Sequence, residues 1–321
     1  MNAPRKLLLV ICAAAAMQPA AAEYPDRPIR FLVSSGAGGA PDISARIFAA
    51  ELTKQLGQQV VVDNRPGAGS VMGTTLMAKA PPDGYTIGYG TIAPIAIQRS
   101  LQPNLPYDPD KDLQAVIQIT STPNMLAVSK SLSVGSVSAL IDYARNNPGT
   151  LLYASTGTGT SQHLTGELFK LMTGVQITHI PFKAATMALT DVIGGRVHLM
   201  FENINSVGQH IRSGKLQGFA VTSSKRVAAF PDLPTMDEAG LLGFESISWG
   251  GIVVPAGTAS VIVARLNREV NAAIALPHVK EKYAGFGNDL VGGTPAQFTA
   301  QIKKDTLKWA DVIKRAGVTA D

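Results

Sequence analysis

Two rhythms of apolar and polar positions alternate along this chain, and the changes between them predict its elements. The apolar run "IRFLVSS" (29–35) reads as a strand. "DISARIFAAELTKQLG" (42–57) then places Ile43, Ile47, Ala50 and Leu56 near a 3.6-residue period and stops at Gly57, which predicts a helix. "QQVVVDN" returns to a strand, "SVMGTTLMAKA" to a helix, "PPDG" to a turn and "YTIGYG" to a strand. Further along, helix "SVSALIDYARNN", strand "LLYAST", helix "SQHLTGELFKLMTG" and strand "QITHIPF" follow one another. Helix "ATMALTDVIGG", strand "RVHLMFE", helix "SVGQHIRSG" and strand "LQGFAVT" complete the series. Such βα alternation predicts an α/β protein with largely parallel sheets.

The rhythm breaks twice. "LQAVIQITSTPNMLAVSK" (113–130) holds two β-like runs with no helix between them, and "FESISWGGIVVPAG" (244–257) is a long β-like run without a partner helix. Two extended segments flanking the middle of the chain predict two α/β lobes joined by two crossovers. The first lobe takes residues 24–124 plus 248–321, the second 125–247; two domains also suit the length. Near the C-terminus, Thr294-Pro295-Ala296-Gln297 reads as a capping-box start, with Trp309 and Ile313 on the helix's inner face.

The first 22 residues stand apart. Arg5 and Lys6, an apolar run from Leu7 to Met17 and the small series Ala20-Ala21-Ala22 have the layout of a secretory signal peptide. The run is about half of the ~20 residues a membrane span needs. Cleavage after Ala22 leaves 299 of 321 residues and lowers the formal charge from +5 to +3. Cys12, the only cysteine, falls inside this leader after the bulky Ile11, which argues against a lipid anchor. The remaining chain then has no disulfide and no thiolate metal site. A periplasmic location is expected.

Composition and motifs exclude several chemistries. The basic residues are dispersed without interleaved aromatics, so no nucleic-acid partner is expected. After the first strand, Gly36, Gly38 and Gly39 lead into Ala40, Pro41 and Asp42, which does not fit G-x-G-x-x-G, and no G-x-x-x-x-G-K-[ST] occurs. His163, His179, His198, His210 and His278 form neither H-E-x-x-H nor H-x-H. No cofactor and no metal is expected. Nucleophilic catalysis competes more seriously, because Ser155 follows a strand with His163 eight residues on. Even so, "YASTGTG" is not G-x-S-x-G, and the sequence offers no obvious constellation of nucleophile, base and orienting acid. His163 falls in the first turn of its helix, where an imidazole packs on the preceding loop.

Binding without chemistry fits better. Two glycine-rich turns, 34–42 and 155–162, each run from a strand into a helix, one in each lobe. Both predict unpaired N–H groups at a helix N-terminus, where the dipole favours an anion. Both also lie at the carboxyl ends of strands, where open α/β sheets take ligands. "PFKAAT" (181–186) and "FENINS" (201–206) are a third and a fourth turn of this kind. Asp42 is a natural N-cap there, fastening the loop rather than meeting the ligand. Glu202 is the nearest acceptor, by position, for the ammonium of an amino-acid ligand.

"VVVDNRPGAGSVMGTTLMAKAPPDGYTIGYG" (60–90) resembles the signature block of the Bug-type periplasmic receptors of tripartite tricarboxylate transporters. The resemblance extends to "YPDRPIRFLV", "YASTGTGTSQHLTGELFK", "HIPFKAATMALTDVIGGRVHLMF", "FPDLPTMDEAG" and "WGGIVVPAGT", and so covers essentially the whole chain after the leader. It implies a two-lobed periplasmic-binding-protein (Venus flytrap) fold with a carboxylate in the cleft, held mainly by backbone amides and waters. It also implies inner-membrane permease subunits as partners, one large and one small, and a monomeric receptor that is not an enzyme. Carried over by position, the ligand residues are Ser34, Ser35, Gly36, Ala37, Gly38, Gly39 and Asp42 in the first lobe. In the second they are Ser155, Thr156, Gly157, Thr158, Gly159, Thr160 and His163, with Phe182, Lys183, Ala184, Ala185 and Thr186 beside them and Glu202 added. Asn64 to Gly69 read as a structural turn. This chain departs from the family at Phe182-Lys183-Ala184, where Tyr-Lys-Gly is common, at Ser70, and at Ala37 and Ala40. A secreted hydrolase using Ser155 or His163, and a receptor feeding a sensor kinase, are the alternative functions.

Overall fold

A computed structural model describes residues 24–286 and 288–320. The expected leader, with Cys12, lies outside the described residues. Strand β1 (Ile29–Val33) leads into α1 (Ala40–Leu56), β2 (Val60–Asn64), α2 (Val71–Ala78) and β3 (Thr86–Thr91). A π-helical turn, Ala93–Ile97, runs into α3 (Gln98–Leu101), and α4 (Pro109–Asp112) opens onto β4 (Leu113–Ser129). Then α5 (Val137–Asn146), β5 (Leu151–Ser155), α6 (Ser161–Thr173) and β6 (Ile177–Pro181) alternate. So do α7 (Ala185–Ile193), β7 (Leu199–Asn203), α8 (Ile204–Arg212) and β8 (Leu216–Val221). The chain returns through β9 (Ile247–Pro255), α9 (Ser260–Ala275), α10 (Pro277–Phe286), β10 (Asp289–Gly292) and α11 (Pro295–Ala316).

The strands run in the order β2-β1-β3-β9-β4-β7-β5-β6, with β8 and β10 also paired to β4. Two lobes share this arrangement because β4 belongs to both. Its residues 113–123 pair with β9, and residues 124–129 pair with β7 and β8. The two β-like runs read from sequence are thus one strand of 17 residues. Pro123, which has no N–H to offer a ladder, sits at the change of partners. Directly after it, the Asn124 amide turns to the Thr222 hydroxyl at 2.9 Å.

The sheets are mixed rather than largely parallel. Pairs β1–β2, β1–β3, β5–β6 and β5–β7 are parallel, as βα units require. Among the described residues, all the antiparallel pairs involve β4 or β9.

One core sets Phe31, Ile87 and Ile117 of the first sheet against Phe48 and Leu52 of α1 and Leu266 of α9. On α1 the buried face is Ala45, Phe48, Ala49, Leu52 and Leu56, whereas Ile43 and Ala50 are exposed. The helix is apolar on several sides, so its period alone did not select the face that meets Phe31. The second core gathers Leu126, Leu140, Tyr153, Phe169 and Phe201. Helix α11 bridges the lobes, since Trp309, Val312 and Ile313 pack with Trp249 of β9 and Leu164 of α6. It begins as its sequence predicts: Thr294 and Gln297 make both bonds of a capping box.

Candidate ligand-binding site

A cavity of about 270 Å³ lies where the carboxyl ends of the strands of both lobes converge. Its floor is sheet: Tyr89, Thr120, Thr122, Trp249 and Gly250. The first turn of α1 supplies one wall through Ala40, Pro41 and Ser44. Opposite stand Thr156 and Thr160 of the second loop, Ser161 and Gln162 of α6, and Asn203 and Asn205 at the start of α8. None of the lining side chains carries a charge. The polar groups that meet a ligand there are therefore hydroxyls, amides and helix ends.

The first loop is fastened from behind by Asp42, which is 2% exposed. Asp42 Oδ2 accepts from the Gly38 amide at 2.8 Å and from Arg46 Nε at 3.0 Å. Its Oδ1 accepts from Asn64 Nδ2 at 2.9 Å, and the same Asn64 nitrogen donates to the Ser35 carbonyl. Burial pushes the Asp42 carboxyl up, but the bonds from Arg46, Gly38 and Asn64 outweigh it and hold the group below its usual range. Asp42 does fasten the loop, yet the N-cap position itself belongs to Gly39, with Ala40 and Pro41 as the first helical residues. Pro41 has no N–H, so this helix end offers fewer free donors than a typical one. Ser34 is buried, Gly36, Ala37 and Gly38 are exposed, and the cavity's lining begins just past Gly39.

The second loop is braced by an internal network. Ser155 Oγ lies 2.6 Å from His179 Nε2 and accepts from the Gly157 amide at 3.1 Å. His163 Nδ1 accepts from the Gly159 amide at 3.1 Å, which leaves the proton of the neutral ring on Nε2. The rings of His163 and His179 stack with centroids 3.9 Å apart. Thr160 caps α6 by accepting from the His163 amide and donates to the Gly157 carbonyl. Ser161 and Gln162 thereby keep the free first-turn amides of α6. Thr158 and His163 face a separate recess beside Ala316 to Thr319. Ser155 has a base within reach, His179 rather than His163, but it is fully buried and cannot attack a molecule in the cavity.

Of the expected residues, Thr156 and Thr160 line the cavity and the others do not; Glu202, expected to meet a ligand's ammonium, is buried away from the lining. Phe182 donates its amide to the Ser155 carbonyl, next to the second loop. Lys183, Ala184 and Thr186 are exposed and Ala185 half-buried, around the start of α7. Glu202 is 1% exposed; its Oε1 accepts from Gln162 Nε2 at 3.0 Å and from the Asn203 amide at 2.8 Å. Burial pushes its carboxyl up, against the pull of those two bonds.

Sequence reasoning missed the floor. Thr120 and Thr122 carried a usable signal: hydroxyls two residues apart share one face of a strand. Asn203 and Asn205 lie within the fourth flagged turn. Trp249, Ser248 and Asn288 had no local signal, because tertiary pairing alone brings them to the cavity.

Two lobes closing on an uncharged cavity, with helix N-termini on opposite walls, define a solute-binding receptor. Residues 44–318 match the model of the tripartite tricarboxylate transporter family receptor, and the chain belongs to that family. It is 38% identical to Protein BugT of Bordetella pertussis, over 99% of each chain. It is similar to R. palustris Rpa4515 with adipate, with a TM-score of 0.84 and 38% identity over 92% of this chain and 99% of that one. MatC from Rhodopseudomonas palustris with bound malate gives a TM-score of 0.80 and 30% identity, over 90% of this chain and 100% of that one.

Proposed function

We propose that this receptor captures a small organic carboxylate in the cavity between its lobes and delivers it to inner-membrane permease subunits, one large and one small. The observation that carries this reading is the uncharged lining with the first turns of α1, α6 and α8 opening onto it. Amides at helix ends bind an anion without an ion pair. The adipate and malate in the two similar structures support the ligand class.

Direct contact falls to Thr156, Thr160, Ser161, Gln162, Ala40 and Ser44. Ser34 to Gly39, Asp42, Ser155, Gly157, Gly159 and His163 hold the two loops in shape. The lobe division is 24–124 plus 248–321 against 125–247, supported by the change of partners along β4. Residues 1–22 direct export, and the monomer works in the periplasm.

A thermal-shift panel of carboxylates on ligand-stripped protein tests the reading. A ligand at a hundred times its Kd adds about 2.7 kcal/mol of stability, a rise of about 4 °C for a chain of this length. If no carboxylate raises the melting temperature, the reading is wrong.

A further inference from the structure

One polar chain runs along the second lobe's wall and crosses to β9. Glu202 Oε1 accepts from Gln162 Nε2 at 3.0 Å. Gln162 Oε1 accepts from Ser161 Oγ at 3.2 Å, and Ser161 Oγ lies 2.7 Å from Ser248 Oγ. Glu202 is buried behind the wall, while Gln162, Ser161 and Ser248 line the cavity.

Counting protons gives this chain a direction. Glu202 Oε1 already receives two N–H groups, so any proton the carboxyl takes up sits on Oε2, and Oε1 remains an acceptor in either state. That oxygen therefore holds the NH₂ end of Gln162 and turns its Oε1 the other way. A serine hydroxyl has one proton. Ser161 spends its own on Gln162, so the close contact with Ser248 requires Ser248 to donate. What Gln162 Oε1 and Ser248 Oγ have left for the cavity is lone pairs. The backbone amides of Ser161 and Gln162 are the free donors of α6. One wall thus pairs an anion cradle with adjacent acceptors.

We infer that Glu202 is a positioning residue which, through Gln162, selects carboxylates bearing a hydrogen-bond donor, a hydroxyl or an ammonium, beside the carboxylate. The inference rests on the carboxylate reading above. A ligand with only methylene there leaves the acceptors of Gln162 and Ser248 unpaired and desolvated, which costs affinity.

The test is calorimetric titration with succinate, malate and aspartate. These probes share a four-carbon dicarboxylate frame and carry no donor, a hydroxyl and an ammonium. Wild type is expected to bind malate, aspartate or both at least about fivefold more tightly than succinate, the size of one net hydrogen bond. Glu202→Met removes the oxygen that orients Gln162, and the ratio should fall to within about twofold. Glu202→Gln can keep an oxygen at the same point and should restore the ratio, which a role as charge alone would not. Gln162→Leu should also lower the ratio, so the result does not depend on Glu202→Met folding well. Succinate binding as tightly as both others, or an unchanged ratio in Glu202→Met and Gln162→Leu, overturns the inference and leaves carboxylate capture standing. If none of the three binds, the inference also falls, and the wider carboxylate panel decides the reading beneath it.

Discussion

The indole N–H of Trp249 donates to Asp305 Oδ2 at 2.6 Å, so a side chain lining the cavity is held from behind by the C-terminal helix. Gln301 Nε2 donates to the same oxygen at 2.7 Å. Burial pushes the Asp305 carboxyl above its usual range, against those two bonds and the charges of Lys308 and Lys304.

That direction fixes a pH dependence. With its pKa raised on folding, Asp305 keeps a proton in the folded chain at pH values where the unfolded chain has lost it. Its contribution to stability therefore falls as pH rises from the unfolded value of about 4 through the higher folded one. Asp305→Asn keeps an acceptor for both donors and removes the titration. The variant should gain on wild type across that window, by up to about 1.4 kcal/mol per pH unit. Urea unfolding at several pH values measures the gain, and parallel curves for the two proteins would contradict it.

Gly39→Val tests the first loop. Gly39 has φ −74° and ψ 162°, a conformation valine adopts, and an added Cβ would sit 3.4 Å from the Gly36 carbonyl oxygen. Valine's branches then displace that carbonyl and crowd the first turn of α1. Affinity for whichever carboxylate binds should fall at least about tenfold, or 1.4 kcal/mol, while the melting temperature moves little. Unchanged affinity would show that the loop does not shape the site.

Gly166→Ala tests the brace under the second loop. A Cβ there would lie 2.3 Å from Tyr153 Cε2, and that ring is fully buried with its hydroxyl bonded to Glu167 at 2.5 Å. The ring has no room to retreat, so overpacking should cost about 1–3 kcal/mol in chemical unfolding. A loss below about 0.5 kcal/mol, the scale of an ordinary surface change, would mean that α6 shifts freely.

Sequence patterns carried most of the fold, because βα units and helix caps are local. The Thr294–Gln297 box, the stop at Gly57 and the unpartnered segments at 113–130 and 244–257 were all legible. Residues 258–293 were assigned no element from sequence, although Val263, Leu266 and Val270 of α9 keep a helical period. The site was half legible. Glycine-rich turns point to where a ligand approaches the backbone, and both flank the cavity. They do not reveal which residue just past the turn faces inward. Nor do they foretell that Pro123 hands β4 from one sheet to the other, which brings Thr122 to the floor and sets Asn124 among the second lobe's strands. Register across sequence-distant strands has no local signature.

The shared strand also has a consequence in time. Strands β3 and β4 flank β9, which is synthesised only after everything from α5 to β8. The second lobe can collapse on its own local contacts while the first lobe's sheet still lacks its central strand. Assembly of the first lobe must wait for a loop closure that spans the whole second lobe, the slow kind of step that high contact order imposes. Until then β3 presents an unpaired edge, the kind of edge on which a wrong partner can template.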